Sequence, residues 1–120
     1  GGEKSEGFIF AGGNQISDVA WFKNNSNNKI QEVGTKLPNE LGIFDMSGNV
    51  YEWCQDYIDD DYYYKCSNDN PKGPELGTYH VLKGGSWKSK ELSCSIIARI
   101  PGATADWNSA NGFRICLDVN

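Results

Sequence analysis

Turn-forming residues interrupt this chain so often that no segment keeps a helical period for long. Fourteen glycines and many asparagines favour tight turns. Runs such as Asn24-Asn25-Ser26-Asn27-Asn28 and Asn68-Asp69-Asn70-Pro71 carry no apolar stripe and read as surface loops. Residues 18–22 offer one helical turn, with Ser17 or Asp18 as its cap. Residues 79–83, 94–100 and 112–119 are β-branched or aromatic enough to be half-buried strands. The expected fold class is a small, irregular α+β domain, with loops outnumbering regular elements and a modest antiparallel sheet holding them.

A length of 120 residues suits a single domain over 1–120 and leaves no room for two independent cores. The hydrophobic fraction is 38% and the mean hydropathy −0.57, so the core must be economical, and four Trp, six Tyr and five Phe would supply much of its area. No apolar run approaches the length of a membrane-spanning helix, and no signal-peptide pattern opens the chain. A net charge of −5 argues against a nucleic-acid surface and is compatible with a cation site. The single histidine, His80, excludes a His-rich zinc site and reads as a strand histidine with a satisfied ring. Gly12-Gly13 and Gly84-Gly85 lack the spacing of a phosphate loop. Cys54, Cys66, Cys94 and Cys116 form no Cys-x-x-Cys motif; disulfides and free buried thiols are both open.

The most informative stretch reads Leu-Gly-Ile-Phe-Asp-Met-Ser-Gly-Asn-Val-Tyr-Glu-Trp-Cys, from Leu41 to Cys54. Asn70-Pro71-Lys72-Gly73-Pro74, Leu82-Lys83-Gly84-Gly85-Ser86-Trp87, Ala98-Arg99 and Gly112-Phe113-Arg114 follow in order. This ordered set resembles the C-terminal half of the formylglycine-generating enzyme (sulfatase-modifying factor) family, over essentially the whole chain. The resemblance implies a C-type-lectin-like fold, with many loops, little helix and a small twisted antiparallel sheet. It also implies a truncated or compact domain, because full family domains extend well over a hundred residues further toward the N-terminus.

On an extended segment Tyr51 and Trp53 share one face, and Val50 and Glu52 the other. A carboxylate turned inward there needs a partner. A hard cation bound by oxygens is one such partner. The resemblance implies a structural Ca²⁺ held by the side chains of Asp45 and Glu52 and the carbonyls of Gly48 and Val50. The competing reading pairs Glu52 with an Arg or Lys and makes Asp45 a turn cap.

Family catalysts bind copper through two cysteines spaced five apart, and soft sulfur suits Cu(I). Counted from Gly84-Gly85-Ser86, the first of these positions is Ser89, and the place five further on is Cys94. Cys94 also aligns with a structural cysteine before Ala-x-Arg. Neither alignment leaves a copper pair, so no copper is expected and no catalytic residue is assigned. The iron-dependent sulfoxide synthases, a related branch, need histidines from a separate helical domain. The family's usual disulfide partner for Cys94 lies upstream of Gly1, which leaves Cys54 as the nearest candidate here.

Two functions therefore compete. The first is a non-catalytic binding module, like the variable proteins of diversity-generating retroelements, for a protein or other surface ligand. Its binding residues would be Trp87, Lys88, Lys90, Glu91, Trp107 and Asn108, between Gly85 and Gly112, since aromatics amid small polar residues suit an adaptable surface. Gly84, Gly85, Ser86 and Gly112-Phe113-Arg114 would be framework, with Phe113 in the core and Arg114 paired with a buried carboxylate. The second is a fragment or divergent member of the oxidases. The family and the cysteine count suggest a secreted, periplasmic or cell-surface location. Nothing suggests nucleic-acid binding or membrane insertion.

Overall fold

A computed structural model describes residues 2–67, 69, 71–105 and 108–116. Among these, regular structure is sparse. One helical turn, α1 (Ile16–Val19), precedes the first strand, β1 (Tyr51–Tyr57). A second turn, α2 (Tyr62–Lys65), is followed by β2 (His80–Lys83), β3 (Ile100–Gly102) and β4 (Asn111–Gly112). The strands form one sheet in the order β3-β2-β1-β4. β1 pairs antiparallel with β2, and β2 antiparallel with β3. β4 lies parallel to β1, with Tyr51 opposite Asn111 and Glu52 opposite Gly112, so the sheet is mixed rather than wholly antiparallel. The long excursion through β2 and β3 between them satisfies the crossover that a parallel pair requires.

β1 is the central strand and carries the informative block. The ladder slips between Trp53 and Tyr57. Across that irregularity the Gln55 carbonyl meets His80 Nδ1 at 3.0 Å. A carbonyl only accepts, so Nδ1 carries the proton. The ring stacks on Tyr57 at 4.3 Å between centroids and meets Trp53 edge-on at 6.3 Å. His80 is thus a strand histidine with its ring satisfied, as its sequence context suggests.

Three expected elements are corrected. The first helical turn begins at Ile16, not Asp18, and no side chain caps it; its inner face is set by Ile16 and Val19, both buried. Of residues 94–100 only Ile100 lies in a strand, as the first residue of β3. A 3₁₀ turn spans Glu91–Cys94; the Ser95 hydroxyl donates to the Leu92 carbonyl at 2.9 Å and the Ala98 amide to Ser95 at 3.1 Å. Local bonds of this kind compete with a ladder. Of the last expected strand, 112–119, only Gly112 lies in a strand, β4, which begins one residue earlier at Asn111; residues 113–116 are irregular, and 117–119 lie outside the described residues.

The core is small and gathers on the N-terminal side. Phe10, Ile16, Val19, Ala20, Phe22 and Cys94 form one buried cluster. Hydrogen-bonded polar side chains supplement it. Ser47 accepts from the Ala11 amide at 3.1 Å and donates to the Cys94 carbonyl at 2.8 Å. Asn49 Oδ1 accepts from the Gln31 amide at 3.0 Å, and Ser26 donates to the Trp87 carbonyl at 2.7 Å. Among the described residues no buried side-chain nitrogen or oxygen lacks a partner, as a sparse core requires.

Phe113 is not in the core: it is 77% exposed. Arg114 reaches back to Glu52, while Phe113 beside it stays largely exposed.

Candidate functional site

The two faces of β1 carry two different groups of side chains. On one face Tyr51, Leu82, Lys88, Ile100, Asn108 and Asn111 line a cavity of about 240 Å³. Lys88 and Asn108 are exposed at its rim. The Asn108 side chain also accepts from the Ala110 amide at 2.9 Å, which fixes the turn into β4. Trp87 stands beside this cavity. Its amide donates to the Asn49 carbonyl at 2.6 Å, its indole N–H to the Ser109 carbonyl at 3.3 Å, and the Lys88 ammonium lies 5.8 Å from its ring centroid. Its backbone is therefore anchored, while its half-buried ring borders the face.

Lys90 and Glu91 are exposed at the start of the 3₁₀ turn, outside this cavity. Trp107 lies outside the described residues. Reasoning from the sequence passed over Tyr51 and Asn111 as binding residues. The alternation that puts Tyr51 opposite Glu52 was the available signal for the first. No local pattern announces that β4 would bring Asn111 beside it.

On the other face Asp45, Val50 and Glu52 line a second cavity, of about 570 Å³, with Phe44, Phe113 and Arg114. Gly48 is not part of this lining. Its amide donates to the Gly84 carbonyl at 2.7 Å, and its backbone pairs with Trp21. Asp45 has φ +58°, a left-handed conformation that Asp tolerates better than most residues. Its carboxylate accepts from the Gly34 amide at 2.7 Å. Glu52 is gripped by Arg114: Nε lies 3.0 and 3.2 Å from the two carboxylate oxygens and Nη2 2.5 Å from one of them. The same Nη2 donates to the Phe44 carbonyl at 3.1 Å. Hydrogen bonding to Glu52 holds the Arg114 pKa above its ordinary value. Two carboxylates on one cavity are a hard-oxygen donor set that suits Ca²⁺, although in this structure Glu52 is ion-paired with Arg114 and Asp45 is bonded to the Gly34 amide.

Lys83, opposite Glu52 across the ladder, gives its ammonium to the Ile96 carbonyl at 2.7 Å. Burial pushes its pKa down.

Ser89, at the position of the first family copper ligand, is buried. Its Oγ accepts from the Ser86 amide at 2.9 Å and lies 2.9 Å from Ser86 Oγ. Among the described residues Cys54, Cys66, Cys94 and Cys116 form no disulfide with one another, so the candidate Cys54–Cys94 bridge is not made. Cys54 sits on β1, near Lys83 and Asp56, whereas Cys94 is packed into the core cluster. Burial raises the Cys94 pKa to about 11, which keeps the thiol protonated at neutral pH.

A loop-rich α+β domain, with a short sheet and a central strand dividing two side-chain groups, is the C-type-lectin-like fold of the formylglycine-generating-enzyme class. The model of the sulfatase-modifying factor enzyme 1-like domain matches residues 3–119, and the chain belongs to that family. It is 49% identical over 84 residues to the serine/threonine-protein kinase Pkn1 of Chlamydia trachomatis, covering 66% of this chain and 13% of that protein. It is 36% identical over 91 residues to the formylglycine-generating enzyme of Streptomyces coelicolor, covering 73% and 29%. The solved structure of Treponema denticola variable protein 1 superposes with a TM-score of 0.80 at 30% identity, covering 92% of this chain and 41% of that one. The chain thus spans less than half the length of each of these relatives.

Proposed function

We propose that this chain is a non-catalytic binding module on a formylglycine-generating-enzyme-like scaffold, and that its ligand is a protein or another exposed surface. The observation that carries this reading is the convergence of Tyr51, Lys88, Asn108 and Asn111, from β1, the segment after β2, the turn before β4 and β4 itself, on one small cavity beside Trp87. An aromatic, an ammonium and two amides around a shallow apolar floor can meet many partners without a fixed chemistry. The likeness to a variable protein supports the same reading. Against catalysis stands Ser89: a hydroxyl tied to Ser86 does not replace a thiolate on copper. A sulfatase-motif peptide incubated with the copper-supplemented chain should keep its cysteine by mass spectrometry. Appearance of a formylglycine product would restore the oxidase reading.

The same reading includes a structural Ca²⁺ held by Asp45 and Glu52, with backbone carbonyls of Gly48 and Val50. Bound there, the ion would supply positive charge between two carboxylates and tie the 45–52 segment to the sheet. A ligand that binds only the folded state raises stability by mass action, about 2.7 kcal/mol at a hundred times its Kd. Calcium added to chelator-stripped protein should therefore raise the melting temperature, and Glu52→Gln should remove most of that gain. No change in melting temperature and no calorimetric heat would dismiss the site.

A further inference from the structure

Glu52 is the one carboxylate that both cations would need. Arg114 reaches it from the residues just after β4, with two nitrogens on the carboxylate and one of them also on the Phe44 carbonyl. Asp45 lies close enough to favour the charged guanidinium. Arg114 thus sits in a setting of two carboxylates and a carbonyl, the same donor types that a calcium ion takes. Lys83 stands opposite Glu52 in the sheet, with its ammonium turned to the Ile96 carbonyl. A carboxylate held by a guanidinium fork keeps further lone pairs, but a second cation on the same two oxygens would face the guanidinium charge at close range.

We propose that Arg114 is a built-in counter-cation that competes with Ca²⁺ for Glu52, so that the ion loosens the Arg114 fork as it binds. The proposal rests on the calcium reading given above. Its consequence is a link across the sheet. Arg114 follows β4 directly, and β4 includes Asn111, which lines the ligand cavity on the opposite face. Exchange at Glu52 therefore frees the end of the strand that helps to shape that cavity. Coupling of this kind is reciprocal: if calcium displaces Arg114, removing Arg114 must tighten calcium.

The test uses calcium chloride alone, titrated into chelator-stripped chain. In wild type, the Arg114 Nε–H resonance, protected from exchange by the carboxylate, should lose its protection as calcium is added. By calorimetry, Arg114→Ala should bind calcium about tenfold more tightly than wild type, the scale of a charge-assisted contact discounted for partial exposure. Arg114→Lys, which keeps the charge and loses the fork, should fall between them. If Arg114→Ala fails to fold, the wild-type resonance decides alone. Calcium binding with an unchanged Nε–H signal and equal affinities would overturn the competition while leaving the calcium site standing. Absence of binding to wild type and both variants would remove the calcium reading, and the competition with it.

Discussion

Phe10→Ala should lower the stability of this chain by about 3–5 kcal/mol, the range for truncating a well-packed core aromatic. Phe10 is 2% exposed and belongs to the only cluster in which several large side chains are fully enclosed among the described residues. Its neighbours there are Ile16, Val19, Phe22 and Cys94, brought together from α1, the loop after it and the distant 3₁₀ turn. The Phe10 carbonyl and amide also close a tight turn with Gly13, at 3.2 and 3.1 Å, so the backbone would resist collapsing into the void. Chemical denaturation, with the slope unchanged and the midpoint shifted, is the appropriate readout. Phe113→Ala is the control: an aromatic 77% exposed should give a change of less than about 0.5 kcal/mol. Equal effects at the two positions would mean that the core has been placed on the wrong side of the molecule.

Gly48→Ala should be as damaging, by about 3 kcal/mol or more, through overpacking and backbone strain together. Gly48 has φ +79°. A Cβ there would stand 2.8 Å from the Trp21 amide nitrogen and 3.0 Å from the Ala20 Cβ, and closer still to the Trp21 carbonyl oxygen. The two Trp21 atoms are backbone, and none of the three can rotate away. The Asn49 amide donates to that same carbonyl at 2.7 Å, so any retreat of Trp21 breaks the bond joining the central block to the N-terminal core. Circular dichroism of Gly48→Ala should show loss of the cooperative transition or a large drop in its midpoint. A variant as stable as wild type would show that the approach of residues 48 and 21 does not hold the domain together.

Much of the central strand was legible before any coordinates. Aromatics at alternate positions in Tyr51-Glu52-Trp53 predict an extended segment with Glu52 opposed to Tyr51, and the cavities separate those two residues in that way. The core was harder to read, because part of it is polar. Ser47, Asn49, Ser26 and Ser86 are buried through specific hydrogen bonds, and composition alone counts such residues as surface. The run from Cys94 to Ile100 looked like a strand by β-branched content, yet local side-chain bonds at Ser95 turn it. Phe113 looked like core by hydrophobicity, yet the Arg114–Glu52 pair holds that segment at the open edge of the cavity, with Phe113 exposed. In each case a pairing distant in sequence, or a bond within one turn, overrode propensity.

The division between framework and binding face is tested most directly by one thermal melt. Lys88, Lys90 and Glu91 are exposed, and the described charged contact among them is the Lys88–Trp87 approach. Asn108 contributes one turn hydrogen bond. Replacing all four with alanine should lower the melting temperature by about ten degrees at most, since exposed substitutions change stability by about 0.5 kcal/mol or less each and the lost turn bond adds about 1 kcal/mol. A quadruple variant that is unfolded at room temperature would contradict the division, and would make the segment between Trp87 and Asn111 a structural part of the domain rather than a surface displayed by it.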